Sequence, residues 1–392
     1  MALTTSGQIK LSEIWTEYNG GATPGVNQNV SLGALSVNVA DGGTNPDAMS
    51  EFYGLASCIA STTKWLTGDN AGNLFYTQAD SGLTGWTAGP QLGSTRGWLR
   101  YAVYNGSGWV AGFDNEVWAT SDTSGTSGWT LTKGNTGLVM GLMWTGGGWI
   151  AIGRYDAFYC TDTIPDGSTS WTTFDLGNVN VSGGVANDGT NSFLASRSFP
   201  EFRIRWHLLN ALTEPTSQTT HDIVSYFGRH AYFVPDGAGS GNDVYIATTT
   251  HPNSFYYTVG NSDWSSATVS LKGIGATASY FDYNDSYYAF ADSTNCKITS
   301  TSGALTTGGY SSTIITSVGI DRIGQIFWNG TSWGAPARST SGNTYFAVFR
   351  NASNPNGTWT GVTKPSGFNG TRSIGLFPSK RPHYNAITDL GC

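Results

Sequence analysis

Short apolar stretches rich in Trp, Tyr, Phe, Val and Ala alternate along most of this chain with turns of Gly, Asn, Ser and Thr. Trp65-Leu66-Thr67-Gly68, Trp109-Val110-Ala111-Gly112 and Trp149-Ile150-Ala151-Ile152 are too short for buried helices and read as buried strands. In the best copies a polar turn leads into the strand: Tyr104-Asn105-Gly106-Ser107-Gly108-Trp109, Trp144-Thr145-Gly146-Gly147-Gly148-Trp149 and Trp328-Asn329-Gly330-Thr331-Ser332-Trp333. The aromatic anchors recur at Trp65, Trp109, Trp149, Phe193, Tyr232, Tyr287 and Trp333, spaced 44, 40, 44, 39, 55 and 46 residues apart. Helical periodicity is nearly absent beyond the first 55 residues.

A strand-built repeat of this period predicts an all-β chain whose residues 57–392 form a seven-bladed β-propeller, four strands to a blade. Each unit places an inner strand before the polar turn and the anchor strand after it. A third strand follows, as in Leu74-Phe75-Tyr76-Thr77, Val117-Trp118-Ala119-Thr120, Ala157-Phe158-Tyr159-Cys160 and Val244-Tyr245-Ile246-Ala247. A closing Trp stands at 86, 129, 171, 264 and 359; the fourth unit lacks one and the sixth offers Tyr310. Little chain precedes Trp65, whereas Thr371–Phe377 is left over at the other end. The C-terminal tail is therefore expected to pair with the first blade and close the ring, which removes open sheet edges.

Residues 1–56 follow a different pattern. Leu11, Ile14, Trp15 and Tyr18 are spaced for one face of a short helix, with Ser12 as N-cap. A segment this short buries too little for an independent core, so it reads as a small N-terminal adaptor that docks or oligomerises through Ile9, Leu11, Ile14, Trp15 and Tyr18. No basic stretch followed by an apolar one marks a secretory signal, and no apolar window is long enough to span a membrane.

Composition narrows the partners. Only 11% of residues are charged, against roughly 25% in an average domain, so Ser, Thr, Asn and Gly must cover the surface. The net charge of −7 disfavours nucleic acid and anionic membranes. Cys58, Cys160, Cys296 and Cys392 lie far apart, with no paired spacing for a metal, and read as free thiols. His is scarce and no metal-binding His pair occurs. Asp236–Asp243 offers oxygen ligands but lacks the closing acid of a calcium-hand loop, and reads as a turn. Neither a metal nor a cofactor is expected.

The N-terminal segment resembles a module of tailed-bacteriophage virion proteins, carried here by Gly7, Ile9, Leu11, Ser12, Ile14 and Glu17, then Ser31 and Leu32, and finally Ser50, Phe52, Tyr53 and Gly54. The resemblance implies a particle protein attached by its N-terminus, made without a signal peptide and located in the virion. The turns Asp80-Ser81-Gly82, Asp122-Thr123-Ser124-Gly125 and Asp166-Gly167, each leading to a Trp, resemble degenerate Asp boxes of the sialidase family, which implies a folding device. Phe202-Arg203-Ile204-Arg205 is similar to the stretch carrying a sialidase arginine, but the rest of that active site cannot be assembled.

One further pattern concerns charge. Four or five residues beyond each anchor stand Asp69, Asp114, Arg154, Arg197, Asp236, Asp292 and Arg338. They are expected to ring one propeller face, as turn caps and cross-blade pairs such as Asp114–Arg154, Arg197–Asp236 and Arg338–Asp69, or as a polar mouth for a ligand. The function expected is a structural phage component, a tail-fibre or appendage-type homo-oligomer. It would bind other virion proteins through residues 1–56 and display the propeller to host-surface glycan. The alternative is a glycoside hydrolase or lyase, which needs two carboxylates in one cleft; Glu116, Glu201 and Glu214 are the candidates.

Overall fold

The computed structural model describes residues 61–92, 97–153, 156–176, 179–188, 191–198, 204–209, 218–222, 228–235, 237–238, 242–249, 254–260, 264, 269–284, 286–315, 319–339, 345–369 and 375–379. Residues 1–56, expected to form an N-terminal adaptor with a short helix, lie outside these residues. The described residues form strands and turns, with no helix among them.

The first blade contains β1 (Trp65–Gly68), β2 (Asn73–Thr77) and β3 (Thr87–Gln91). The second is β4 (Tyr101–Tyr104), β5 (Trp109–Gly112), β6 (Glu116–Thr120) and β7 (Thr130–Gly134). The third is β8 (Gly141–Trp144), β9 (Trp149–Ile152), β10 (Asp156–Cys160) and β11 (Thr172–Asp175). The fourth is β12 (Val179–Asn187), β13 (Ser192–Ser198), β14 (Ile204–Leu209) and β15 (Gln218–Asp222). The fifth is β16 (Gly228–Val234), β17 (Val244–Thr249), β18 (Ser254–Val259) and β19 (Ser270–Gly273). The sixth is β20 (Tyr280–Tyr283), β21 (Tyr288–Asp292), β22 (Lys297–Thr301) and β23 (Ser311–Ile314). The seventh is β24 (Ile320–Ile323), β25 (Phe327–Trp328), β26 (Trp333–Ser339), β27 (Tyr345–Arg350) and β28 (Thr360–Thr363). Finally β29 (Leu376–Pro378) pairs with β1 as the inner strand of blade one. Inner strands of neighbouring blades touch in cyclic order, β29 against β4 and β25 against β29 included, so the sheets form a closed seven-bladed propeller.

Burial is greatest in the second strands and falls toward the rim, and the residue types follow. The second strands β1, β5 and β9 are buried throughout, while the outermost β3, β7 and β11 are Thr-rich and largely exposed. Trp65, Trp109, Trp149 and Trp333 are each 0% exposed. Their indole N–H groups donate to the carbonyls of Asp80, Thr123, Thr163 and Ser353 at 3.0, 3.2, 3.0 and 2.8 Å. Each carbonyl lies in the turn after the third strand, so the anchor Trp ties that turn to its own blade.

The polar turn before the anchor completes the tie across blades. In Asn105, Asn284 and Asn329 the side-chain oxygen accepts two N–H groups of its own turn. The side-chain amide donates to Thr163 O, Ser353 O and Asp80 O of the next blade, at 2.8, 2.9 and 2.8 Å. These are the carbonyls already held by Trp149, Trp333 and Trp65. One carbonyl thus receives an indole from its own blade and an amide from its neighbour. The Gly after the turn Asn takes φ of +87° and +95° at Gly106 and Gly330, a left-handed conformation that other residues adopt only with strain.

Register corrects three of the expected anchors. Tyr104 faces Trp109, Trp144 faces Trp149 and Trp328 faces Trp333; the matching pairs in blades four to six are Asn187–Ser192, Val234–Val244 and Tyr283–Tyr288. The anchor slot is therefore filled by Ser192, Val244 and Tyr288, not by Phe193, Tyr232 and Tyr287. Tyr232 lies on the inner strand β16, because the connection to β17 is longer than the tight turn of the Trp blades. Val244–Ala247 consequently belongs to the second strand of blade five, and its third strand is β18.

Candidate functional site

The turns between second and third strands share one end of the propeller with the blade-to-blade connections, and the charged residues expected there divide into two kinds. Asp69 is 0% exposed and caps its turn: its carboxylate accepts from Ala71 N, Asn73 N, Asn73 Nδ2 and Asn369 N at 2.8–3.0 Å. Asp292, also buried, does the same for Thr294 N, Asn295 N and Asn295 Nδ2, and takes Thr277 N as well. Asp114 instead pairs with Arg100 Nε and accepts Trp98 N at 3.3 Å. Arg338 makes a two-pronged pair with Asp321, at 2.7 Å on each prong. That pair holds the Asp321 carboxyl below its ordinary range.

The expected cross-blade pairs do not form on these partners. Asp114 pairs with Arg100 on the approach to its own inner strand, and Arg338 with Asp321 on its own inner strand, which leaves Asp69 to its turn. Arg154 and Asp236 lie outside the described residues. Arg197 is placed on β13, opposite Asn180 and Ile204. The attachment residues Ile9, Leu11, Ile14, Trp15 and Tyr18 are outside too, as are Glu201, Glu214, Cys58 and Cys392. Glu116 accepts Trp118 Nε1 at 2.9 Å. Cys160 and Cys296 are buried free thiols, pushed up by burial to about 12 and about 11. No cluster of three metal-ligating side chains occurs among the described residues.

The turns before the closing Trp hold carboxylates in more than one way. Asp122 Oδ1 accepts Ser124 N and Oγ, while Oδ2 accepts Thr126 N and Ser127 N. Burial alone would raise this carboxyl, but hydrogen bonds from Ser124, Ser127 and Thr126 outweigh it and hold it well below the carboxylate range. Counted from the end of the third strand, Asp162 is the match of Asp122, whereas Asp80 offers only its carbonyl to the staple. Trp86 and Trp129 donate their indole N–H to Gly82 O and Gly125 O at 2.8 and 2.9 Å. Tyr310 takes the same role in blade six, its hydroxyl 2.5 Å from Leu305 O.

Along the axis the inner strands enclose a channel of about 460 Å³ counting its open mouth. Its interior narrows to room for about one water. The walls are largely aromatic, and the polar groups are few. His230, 5% exposed, has Nδ1 3.3 Å from the Tyr101 hydroxyl and packs against the Tyr280 ring at 5.1 Å. Tyr232 Oη accepts Phe281 N at 3.2 Å. Asp282 accepts Trp328 N at 2.6 Å. In register, Asp282 occupies the inner-strand position held elsewhere by Phe377, Val103, Met143, Ala186, Phe233 and Phe327. A carboxylate in an otherwise apolar ring is the sharpest break in the repeat.

Tyr283 and Gln325 complete the polar side chains of the channel; Gln325 is 9% exposed and makes no hydrogen bond to another described residue. Its position has a backbone cause. Ile323 faces Ala337 and Phe327 faces Gly334, so three inner-strand residues oppose two of β26, and Pro336 is one of the two. Proline cannot donate to the ladder, and a bulge at such a site turns a side chain away from the regular alternation. Of these channel residues the sequence singled out only Tyr232, and as an anchor; Pro336 within an otherwise continuous strand was the available signal for Gln325.

No family model matches the chain, and no curated protein matches it. Among solved structures, Sqt1 of Saccharomyces cerevisiae aligns at 11% identity over 75% of this chain and 84% of its own, with a TM-score of 0.51. A Bacteroides fragilis protein provisionally assigned as a 6-phosphogluconolactonase aligns at 9% identity over 78% and 82%, with a TM-score of 0.49. Matches of this kind extend to 575 solved chains. The likeness is one of fold, and the fold alone selects no activity.

Proposed function

We propose that this protein is a structural component of a tailed-phage particle, attached through residues 1–56 and displaying its propeller for recognition of host-surface glycan. The observation that carries the reading is the division of the chain. Among the described residues the seven sheets draw on Trp65–Pro378, with β29 supplying the inner strand of blade one. On this reading the preceding segment, which resembles a phage attachment module, serves other virion proteins and oligomerisation.

The display half suits the role physically. Repeated Trp, Asn, Thr and Asp side chains bind the blades together, and the weakly charged outer surface favours modest contacts multiplied by copy number. We assign no catalysis to it. The test is to label the full-length protein in purified particles with antibody and gold. Labelled particles are expected. Protein recovered only in the soluble fraction of the lysate would refute the reading.

A further inference from the structure

We propose that the axial channel is a binding site for the hydroxyl-bearing end of a neutral saccharide, read by the Gln325 amide. The inference rests on the glycan-recognition reading and gives it a location. The described charged residues at that end, Asp69, Asp114, Asp292 and Arg338, are committed to turn caps and ion pairs, so they are poor candidates for that location.

Gln325 is nine-tenths buried, lines the channel and has no hydrogen-bond partner among the described residues. Its amide atoms are not sealed from solvent, so water can reach them, and a ligand hydroxyl can take that water's place. Its chemistry selects the class. The amide needs an acceptor for its N–H groups and a donor for its carbonyl. A hydroxyl supplies both at once. An ammonium supplies donors only, and a carboxylate supplies acceptors only while meeting the charge of Asp282 in the same channel.

Size and wall composition agree. The throat admits about one water, so a hydroxyl or hydroxymethyl group can replace that water, whereas a whole sugar ring stays at the mouth. Tyr232 and Phe233, both half-buried, line the same cavity with aromatic rings, and Asp282, also half-buried, adds an acceptor. In blade seven the extra inner-strand residue lies opposite Pro336, and Gln325 is the amide it places in the channel.

The experiment uses the full chain and saturation-transfer NMR with methyl glycosides of glucose, galactose, mannose and N-acetylglucosamine. Methyl glucuronide serves as the acidic probe. Transfer to at least one neutral glycoside is expected, and Gln325→Leu should weaken it at least tenfold. The melting temperature of that variant should be unchanged or higher, since it removes a polar group with no protein partner; a structural defect would lower it. Arg338→Gln, at the turn end, should bind like the wild type. Wild-type affinity in Gln325→Leu, loss of binding in Arg338→Gln alone, or binding of the glucuronide alone would each overturn the assignment. If the wild type binds none of the probes, the glycan part of the proposed function falls with it, while particle attachment stands or falls on the labelling.

Discussion

Replacing Asn329 by Ala tests whether the shared-carbonyl staple holds neighbouring blades together. The side chain is 5% exposed. It accepts Thr331 N and Ser332 N at 2.9 and 2.7 Å and donates to Asp80 O at 2.8 Å. At about 0.5–1.5 kcal/mol net per hydrogen bond, three lost bonds amount to roughly 1.5–4.5 kcal/mol. We expect about 3 kcal/mol, since Ser332 is fully buried and its N–H loses its cap. Trp65→Phe removes the other donor to Asp80 O, and about 2 kcal/mol is expected from the lost bond and the smaller ring. Either single change leaves the carbonyl one donor, while the double change leaves it none. The double variant should therefore lose about 1 kcal/mol more than the two single losses together. Equilibrium denaturation of the full chain in guanidinium chloride measures all four corners of the cycle. A loss below about 0.5 kcal/mol for Asn329→Ala, or strict additivity, would refute the staple as a source of stability.

Three other expectations concern the rest of the molecule. Asp69→Ala orphans four donors around a fully buried carboxylate and should cost about 3 kcal/mol or more; Arg338→Gln breaks a pair about one-third exposed and should cost about 1 kcal/mol or less. The same denaturation curves decide it, and equal losses would contradict the split between caps and surface pairs. Asp156 and Asp175 face each other on β10 and β11, and burial together with the Asp175 charge raises the Asp156 carboxyl above its ordinary value of 3.8. A raised carboxyl pKa costs stability above the folded value and nothing below the unfolded one, so Asp175→Asn should stabilise the protein at pH 7 and lose that advantage as pH falls to about 4. Melting curves from pH 7 to pH 3.5 check this, and a gain that grows toward acid would refute it. Deleting residues 371–392 removes β29 and uncovers the inner edge of β1; an unchanged melting temperature would contradict closure by the tail.

The parts of the propeller that sequence reveals are those where one residue does two jobs. In blades one, two, three and seven the anchor is Trp, large enough to fill the wedge and polar at one end, so periodicity and register coincide. In blades four to six that slot holds Ser192, Val244 and Tyr288, and a prominent aromatic nearby draws the eye by a residue or, at Tyr232, by a whole strand. The charged ring shows the same limit. Asp69, Asp114 and Asp292 do stand at the ends of second strands, but their partners are set by tertiary approach. Nothing in the spacing links Asp114 to Arg100, or distinguishes the Asp122 carboxylate cap from the Asp80 carbonyl.

A seven-fold repeat works against function residing in its repeated residues. Selection for closure ties the turn Asn to one blade and its neighbour, the anchor Trp to the same carbonyl, and the strand-end Asp to its own turn. Each is then buried or saturated, as Asn329, Trp65 and Asp69 are. Free chemistry has to come from departures, and the departures converge on the channel. Asp282 replaces an apolar residue in the inner ring, and the extra inner-strand residue opposite Pro336 places Gln325 in the channel. Asp282 does take Trp328 N of the next blade, but a carboxylate at a position that is apolar in the other six blades, and an amide with no protein partner beside it, are not what packing alone selects. Two such departures lining one cavity are better explained by a ligand than by the fold, since a ring built for stability alone would carry a seventh apolar residue in place of Asp282 and an apolar side chain in place of Gln325.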